Sequence, residues 1–352
     1  MNDYFTEKIE SWYDDNKREL PWRDTHDAYL IWISEIILQQ TRVAQGYDYY
    51  LRFVRRFPDV LSLARATEDE VLLMWQGLGY YSRARNLHRA AKMICGMDAF
   101  PNTYDQIRSL PGVGDYTAAA IASFAFGEAK AVLDGNVYRV LSRYLGIDTP
   151  IDSTQGKKEF RALADEMLDT HHPALYNQAI MDFGAMMCTP SANCMECPLA
   201  ESCHAREHDR VSELPVKSRK TSVQKLHLIY IYCRAKGHIL LRRRGKNDIW
   251  KGLYEPLTAN RQSTEATDKG VLQWLKDKRT TTLKRGVKHQ LTHRLITADF
   301  HLLQLDSMDE MPPEWMKENG YEWIAEDQRD AFATSRLVQE LYKIVSLHDE
   351  NL

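Results

Sequence analysis

The sequence has no hydrophobic run that could cross a membrane. Its most apolar stretch, Ala118 to Phe126, is less than half as long as the roughly 20 residues that a transmembrane helix requires. It also has no low-complexity tract and no internal repeat, and its composition, 44% hydrophobic and 27% charged, argues against wholesale disorder. The first residues, Met1 to Tyr4, lack the pattern of a secretory signal. We therefore expect a globular, cytoplasmic protein.

Cysteine is scarce, and four of the six cysteines crowd into 16 residues. These four are Cys188, Cys194, Cys197 and Cys203, whereas Cys95 and Cys233 are isolated. In a cytoplasmic protein such a cluster indicates a metal site rather than a disulfide framework. Four soft ligands suit either zinc or an iron–sulfur cluster, and the spacing alone does not choose between them. The alternative is four unrelated buried cysteines.

The length and the hydrophobic pattern indicate two domains. A chain of 352 residues can bury more than one core. Up to about residue 187 apolar residues recur at helical spacing, as in Phe5 and Ile9, and no convincing strand is found. A polar stretch at 204–223 predicts a linker. Beyond it, strand-like runs such as Leu226 to Tyr232 and helical runs such as Thr334 to Leu347 predict a separate α+β domain.

The net charge of −3 conceals a strong segregation of charge. Residues 217–294 hold 20 lysine and arginine residues against 5 aspartate and glutamate residues, whereas the two flanking parts of the chain are acidic. A basic segment of this density in an acidic chain indicates a polyanionic partner. A solvated basic surface without a partner is the alternative that charge alone leaves open.

A glycine-containing turn precedes an alanine-rich helical run. The turn is Leu110-Pro111-Gly112-Val113-Gly114, and the helix is predicted from Thr117 to Phe126. Two glycines let the backbone turn tightly, and the unpaired N–H groups at a helix N-terminus favour an anion. In a short helix-turn-helix this is the geometry of a helix-hairpin-helix, which binds a DNA phosphate without reading sequence. An ordinary interhelical turn fits the same five residues.

Two carboxylates stand out against apolar surroundings. Glu35 is the only charged residue between Tyr29 and Gln40, so its helix is predicted to be buried and the pKa of its carboxyl raised. Asp134 precedes a predicted helix, where it is either an N-cap or a carboxylate that faces a cleft. Together the two could form the acid and carboxylate pair that cleaves a glycosidic bond. The alternative for Glu35 is a solvent-facing position.

Six segments, in this order, resemble the adenine DNA glycosylase branch of the endonuclease III superfamily. They are Leu20 to Arg23, Ser34 to Thr41, Gly77 to Arg83, Leu110 to Gly114, Leu133 to Val137, and the four clustered cysteines. The resemblance spans roughly residues 5–205, and the co-occurrence of these motifs is highly specific. It implies an all-α helix-hairpin-helix glycosylase domain at 1–204, with a [4Fe-4S] cluster held by an iron–sulfur loop at 188–203, and an interdomain linker at 205–223.

The C-terminal region, 224–352, resembles the smaller α+β Nudix-like domain with which this branch recognises 8-oxoguanine. The correspondence runs through Trp250 to Glu255 and His289 to His293, and the acidic helix motif of Nudix hydrolases is absent after Gly252. The resemblance therefore implies a domain that reads the lesion without hydrolase chemistry. Its 8-oxoguanine recognition loop would be Leu291-Thr292-His293, where Phe-Ser-His is common in the family.

The resemblance implies a base excision repair enzyme that removes adenine mispaired with 8-oxoguanine or guanine in double-stranded DNA, acting as a nucleoid-associated monomer. Glu35 would be the general acid and Asp134 would stabilise the oxocarbenium ion, while Tyr116 and Asn136 would shape the catalytic site. The adenine pocket would be lined by Trp22, Arg23, Gln178 and Met181. The residues expected to bind DNA are Gln40, Thr41, Tyr80, Leu110, Gly112, Val113 and Gly114.

The position of Tyr116 implies a monofunctional enzyme. Bifunctional members of the superfamily have a lysine two residues after the last glycine of the hairpin, and this lysine attacks the sugar as an amine. Tyr116 occupies that position here. Two alternatives stay open: an endonuclease III-like glycosylase and lyase for oxidised pyrimidines, and a non-enzymatic iron–sulfur protein that binds DNA.

Overall fold

The computed structural model describes residues 2–218, 223–245, 248–261, 265–277 and 279–350. The chain forms two compact units, of which the first combines Met1–Arg65 with Asn86–Lys220 and the second combines Ala66–Arg85 with Thr221–Leu352. The segment Ala66–Arg85 therefore belongs to the second unit, which the sequence analysis did not anticipate. None of the helices among the described residues is both long and apolar enough to span a membrane.

Fifteen α-helices are found among the described residues. In chain order they are α1 (Asn2–Asn16), α2 (Ala28–Leu38), α3 (Val43–Arg56), α4 (Val60–Arg65), α5 (Glu68–Met74), α6 (Ser82–Ile94), α7 (Tyr104–Arg108), α8 (Asp115–Phe126), α9 (Gly135–Leu145), α10 (Thr154–Met167), α11 (Pro173–Asp182), α12 (His204–Glu207), α13 (Ala266–Gln273), α14 (Pro313–Asn319) and α15 (Arg336–Asp349). Within residues 2–218 no strand is found, which confirms the prediction of a helical N-terminal region.

Local sequence explains where several helices of the first unit begin and end. Asp27 caps α2 by accepting hydrogen bonds from the backbone N–H groups of Tyr29 and Leu30, at 2.8 and 3.3 Å. The helix α8 ends at Phe126 because Gly127 adopts φ +67°, a left-handed conformation that glycine enters without steric cost. A π-helical turn, Phe183–Met187, follows α11 and leads to the cysteine-rich loop.

The first unit buries α2 almost completely. Nine of its 11 residues are buried, including Trp32 and Glu35. The alanine-rich helix α8 packs against it, and the small side chains of α8 allow close approach. Both helices are apolar on nearly every face, and the unit can therefore bury them at its centre.

The second unit is built on a seven-stranded sheet. Its strands are β1 (Gln224–Ala235), β2 (His238–Arg243), β3 (Tyr254–Glu255), β4 (Leu257–Asn260), β5 (Thr280–Gln290), β6 (Arg294–Leu305) and β7 (Tyr321–Ala325). Their order is β3-β2-β1-β6-β5, with β4 paired to β1 and β7 to β2. The β1–β6 pair is parallel and runs from Gln224–Arg294 to Ala235–Leu305, whereas the other pairs are antiparallel.

The α+β character predicted for the C-terminal region is confirmed, although several elements were missed. The strand β5 pairs with β6 through two register shifts, which no pattern in the sequence indicates. The short strands β3, β4 and β7 carry no clear alternation in the sequence. Within the predicted linker, Ala205 and Leu214 are buried, and residues 219–222 lie outside the described residues.

The segment Ala66–Arg85 is tied to the second unit by polar contacts. The Gln76 side chain accepts a hydrogen bond from the Thr334 backbone N–H at 2.7 Å, and the Tyr81 hydroxyl donates to the Thr334 carbonyl at 3.3 Å. The Arg243 guanidinium forms ion pairs with Glu68 and Asp69 at 3.1 and 2.7 Å. These contacts fix α5 and the loop that follows it within the second unit.

Candidate active site

Glu35 lies in the middle of α2 and only 6% of its surface is exposed. Burial raises the pKa of its carboxyl to about 7. A hydrogen bond with Tyr116 and the positive charge of Arg23 act in the opposite direction, and burial outweighs both. Its neighbourhood therefore keeps a proton on Glu35 near neutral pH. The alternative of a solvent-facing Glu35 is excluded.

Tyr116 lies in the first turn of α8 and contacts Glu35 through its hydroxyl. The hydroxyl also lies 3.9 Å from the sulfur of Met181. Burial and the nearby carboxylates raise the pKa of this phenol well above its ordinary value, so it remains a proton donor. Tyr116 thus offers a hydrogen bond to the carboxyl of Glu35 and cannot act as an amine nucleophile.

Asp134 is the N-cap of α9. One of its carboxylate oxygens accepts hydrogen bonds from the backbone N–H groups of Asn136 and Val137, both at 2.8 Å. The other accepts from the Asn136 side-chain amide at 2.9 Å. Burial raises the pKa of Asp134 and these hydrogen bonds oppose the shift. The cap role and the cleft-facing role, posed as alternatives by the sequence, are both fulfilled, because Asp134 also lines the cavity around Glu35.

Asn136 is connected to the cysteine-rich loop through Arg139. The Arg139 guanidinium donates to the Asn136 side-chain oxygen at 3.0 Å, to the Gly184 carbonyl at 2.6 Å and to the Cys188 carbonyl at 2.7 Å. The amide that binds Asp134 is therefore oriented by a charged side chain. Sequence reasoning gave Arg139 no role.

A buried ion pair holds Arg23 in place. Both terminal nitrogens of Arg23 donate to Asp182, at 2.7 and 2.8 Å, and Arg18 binds the same carboxylate. The Asp182 side chain is fully buried, and the two guanidinium groups lower its pKa despite burial. Tyr13 completes the cluster by donating to Gln178 at 2.8 Å and accepting from Arg23 at 3.0 Å.

These groups surround one cavity of about 410 Å³, a volume within the range of small-molecule sites. Its lining includes nine of the residues selected from the sequence: Trp22, Arg23, Glu35, Thr41, Tyr116, Asp134, Asn136, Gln178 and Met181. The rings of Trp22 and Tyr50 pack in a T-shaped arrangement, with centroids 5.0 Å apart. Gln40, by contrast, is exposed, has φ +59° and does not line the cavity.

The hairpin Leu110–Gly114 has the backbone that the glycines predict. Gly112 has φ +81°, and an added Cβ would lie 2.6 Å from the Cβ of Asn86. Gly114 is the N-cap of α8, without a side-chain hydrogen bond, and an added Cβ there would meet no atom within 4 Å. Leu110 and Val113 are buried and anchor the turn. Gly112 and Gly114 border an open groove that also contains Lys157 and Lys158 of α10.

The four clustered cysteines lie near one another, since the pKa of the Cys197 thiol is raised to about 11 by burial and by the charges of the other three. Arg143 is buried beneath this loop and donates to the carbonyls of Thr189 and Pro190 at 2.6 and 3.0 Å. Its guanidinium also lies 3.6 Å from the sulfur of Cys188. Four thiols beside guanidinium groups suit an anionic iron–sulfur cluster, whose four irons each take one thiolate.

A structural zinc site requires four ligands that lie close together. Zinc bonds of about 2.3 Å would bring the four sulfurs within about 4 Å of each other. Among the described residues, no group of three or more histidine, cysteine, aspartate or glutamate side chains is arranged to hold one metal ion. Four thiol ligands are chemically suited either to zinc or to an iron–sulfur cluster.

A second cavity, of about 650 Å³, lies within the second unit. The loop Leu291–His293 between β5 and β6 lines it together with Tyr80 and Trp250. The hydroxyls of Tyr80 and Thr292 share a hydrogen bond, although the two residues are 212 positions apart. The structure thus brings two residues selected separately from the sequence into contact.

Asp182, Arg18, Tyr13, Arg139 and Arg143 were missed by sequence reasoning. For Asp182 a signal existed, because it is the only charged residue between Tyr176 and Met187, the same criterion that selected Glu35. Tyr13, Arg139 and Arg143 lie in helices with ordinary charge patterns, and Arg18 follows the end of α1. Only tertiary packing reveals the partners of these four residues.

Two family models match this chain. The model of the HhH-GPD superfamily of base excision DNA repair proteins matches residues 33–166, and the NUDIX domain model matches residues 228–343. The adenine DNA glycosylase of Buchnera aphidicola subsp. Baizongia pistaciae is 34% identical over 296 residues, which are 83% of this chain and 82% of that protein. The Homo sapiens adenine DNA glycosylase is 42% identical over 222 residues, which are 60% of this chain and 41% of that protein.

The solved structures include a thermostable thymine-DNA glycosylase that resembles part of this chain. It has a TM-score of 0.55 and 28% sequence identity, and the match covers 59% of this chain and 97% of that chain. The match is consistent with a helical glycosylase fold to which this chain adds a further domain.

Proposed function

Since this chain belongs to the adenine DNA glycosylase family, whose members are DNA glycosylases of base excision repair, we propose that it removes adenine mispaired with 8-oxoguanine or guanine. The observation that carries the proposal is Glu35, a carboxyl with a pKa of about 7 in a cavity that also contains Asp134. Such a pair can donate a proton to a leaving group while a second carboxylate faces the developing positive charge.

Hydrolysis of a glycosidic bond within a duplex requires that the adenine leave the base stack, because the enzyme cannot reach it there. The flipped adenine would enter the cavity of about 410 Å³, between Trp22 and Met181. Glu35 would give its proton to N7 of adenine, and the bond from N9 to the sugar carbon would then break with its electrons on the base. A water molecule would add to the sugar carbon and lose a proton.

Asp134 and Asn136 would act on the sugar. The oxocarbenium ion formed as the base departs is positive, and the carboxylate of Asp134 would stabilise it. Asn136 orients this carboxylate through its side-chain amide. Arg23 and Gln178 would position the base edge, since Asp182 and Tyr13 hold them at the cavity wall.

DNA binding would involve surfaces in both units. The hairpin Leu110–Gly114 would bind a phosphate through the N-terminus of α8. Gln40 and Tyr80 would insert beside 8-oxoguanine, and Thr41 would contact the strand near the cavity. The loop Leu291–His293 would read the lesion. An enzyme with this substrate would be associated with the nucleoid.

Incubation of the protein with duplexes containing A:8-oxoguanine, A:G or A:T, followed by alkali, tests the proposal. We expect strand cleavage for A:8-oxoguanine and A:G only after alkali, because Tyr116 cannot form the Schiff base on which a lyase depends. Cleavage without alkali would indicate the lyase alternative. No cleavage in any duplex would indicate a protein that only binds DNA.

We further propose that Cys188, Cys194, Cys197 and Cys203 hold a [4Fe-4S] cluster. When bound, the cluster would fix the fold of the loop that Arg139 and Arg143 join to α9. Anaerobically purified protein should contain about four irons per chain. One tightly held zinc and no iron would contradict this assignment.

A further inference from the structure

Tyr80 is held in a fixed position by its own loop. The loop turns through Gly77 and Gly79. Tyr80 itself has φ +46°, a backbone conformation that residues other than glycine rarely adopt. The Arg83 guanidinium donates to the carbonyls of Leu78 and Gly79, at 3.3 and 3.2 Å.

Ring contacts hold the same loop. The Arg83 guanidinium lies 5.2 Å from the ring centroid of Trp75 and 5.8 Å from that of Tyr80. The Trp75 indole donates to the Gly79 carbonyl at 3.2 Å. Because 48% of the Tyr80 surface is exposed, its strained conformation is more consistent with a function than with packing.

The Thr292 hydroxyl is presented by an equally well-defined turn. Leu291 donates its backbone N–H to the Arg294 carbonyl at 2.8 Å, which closes the turn between β5 and β6. The Gln224 N–H binds the His293 carbonyl at 2.9 Å and ties the turn to β1. Thr292 is exposed at the tip, and its hydroxyl shares the hydrogen bond with Tyr80.

Guanine and 8-oxoguanine differ in the hydrogen-bonding group that they would present to the Thr292 hydroxyl. A threonine hydroxyl has one proton and two lone pairs, so a freely rotating hydroxyl can either donate or accept. Guanine presents a lone pair at N7, whereas 8-oxoguanine presents an N–H group there. A freely rotating hydroxyl would therefore satisfy both bases and discriminate poorly between them.

We propose that the Tyr80 oxygen accepts the proton of the Thr292 hydroxyl and thereby leaves Thr292 able only to accept. Thr292 then accepts a hydrogen bond from N7–H of 8-oxoguanine, while the N7 lone pair of guanine faces another lone pair. Tyr80 is thus a specificity-determining residue through its hydroxyl, in addition to any stacking by its ring. Arg83 is the positioning residue that holds the Tyr80 loop. This inference rests on the proposed function, in which this loop reads the lesion.

The test compares the affinities of the full-length protein for two duplexes that carry a stable abasic-site analogue opposite 8-oxoguanine or guanine. These duplexes contain no adenine to excise, so binding is measured without turnover. The variants are Tyr80→Phe, which keeps the ring and removes the hydroxyl, Thr292→Val, which removes the hydroxyl of the loop, and the double variant. Thr292→Ser is the matched control that keeps a hydroxyl.

The two single variants should reduce the preference for 8-oxoguanine by at least about fivefold, through opposite routes. Tyr80→Phe should bind the guanine duplex more tightly, because the released Thr292 hydroxyl can donate to N7. Thr292→Val should bind the 8-oxoguanine duplex more weakly. The double variant should match Thr292→Val, since Tyr80 then has no hydroxyl to orient, and Thr292→Ser should retain the preference. The ratio of two affinities from one preparation does not depend on the fraction of folded protein.

Three results would count against the inference. Tyr80→Phe could weaken binding of both duplexes equally, the preference could be unchanged in Tyr80→Phe but lost in Thr292→Val, or the two losses could multiply in the double variant. The proposed function itself fails in a different way, because the unaltered protein would then show no preference for 8-oxoguanine over guanine.

Discussion

At the scale of single residues, the unusual property of Glu35 depends on how its cationic neighbour is engaged. Arg23 lies near enough to lower the pKa of Glu35, which would weaken it as an acid. Both terminal nitrogens of Arg23 are bound by the fully buried Asp182, so a carboxylate balances that positive charge. Burial then determines the pKa of Glu35. Because Asp182 balances the charge of Arg23, this ion pair leaves Glu35 protonated.

A raised carboxyl pKa makes the stability of the fold depend on pH. Between the ordinary value of 4.5 and about 7, folded Glu35 keeps a proton that the unfolded chain has released, so the free energy of unfolding falls as pH rises through this range. Over this range the free energy of unfolding falls by about 3 kcal/mol. The glutamine of Glu35→Gln does not ionise. The unfolding temperature of this variant minus that of the unaltered protein should therefore be greater at pH 8 than at pH 5.

Thermal unfolding at both pH values measures this effect. Glu7→Gln, on the exposed side of α1, serves as the control in which the difference should not change with pH. A Glu35→Gln difference that is the same at pH 5 and pH 8 would show that Glu35 is not desolvated.

At the scale of elements, the sequence predicted what depends on local patterns and missed what depends on tertiary contact. The buried helix α2 and the hairpin before α8 follow from a lone charge in an apolar run and from two glycines. The assignment of Ala66–Arg85 to the second unit does not follow from any local pattern, because Gln76 and Tyr81 contact Thr334 only in the folded protein. The short strands β3 and β7 are likewise defined by their partner β2 and by no periodicity of their own.

The two hairpin glycines should respond differently to substitution by alanine. Gly112→Ala should destabilise the fold by about 1–3 kcal/mol, because φ is +81° and the new Cβ would meet Asn86. Gly114→Ala should cost less than about 1 kcal/mol, since its φ is −97° and the space is open. Its added methyl group should nevertheless weaken duplex binding if a phosphate approaches there. Thermal unfolding and duplex affinity of both variants check this, and native binding by Gly114→Ala would remove the hairpin from the DNA interface.

At the scale of the whole molecule, the charge segregation seen in the sequence is smaller in the folded protein. Arg242 and Arg244 form ion pairs with the buried Glu255, inside the basic segment. Arg234 binds Asp349 and Arg279 binds Glu310, so acidic residues from outside the segment neutralise further charge. Net charge along a chain predicts a polyanionic partner, but it does not identify the residues that face it.

The family, the two-domain organisation and the candidate catalytic residues could nevertheless be identified from the sequence, because their motifs are local. The cavity brings Glu35, Tyr116 and Asp134 together from three helix regions that span about 100 residues of the chain. Their neighbours Asp182 and Arg139 complete the site through buried hydrogen bonds. Such contacts depend on packing between helices, which no single pattern in the sequence records.

The central claim, that Glu35 is the general acid, is tested most directly by one paired measurement on Glu35→Gln. Glutamine keeps the size and hydrogen-bonding capacity of the side chain but cannot donate an acidic proton. The variant should bind an A:8-oxoguanine duplex with nearly native affinity, while excision under single-turnover conditions falls by at least about 100-fold. Intact binding with excision within a few-fold of the unaltered protein would contradict the account.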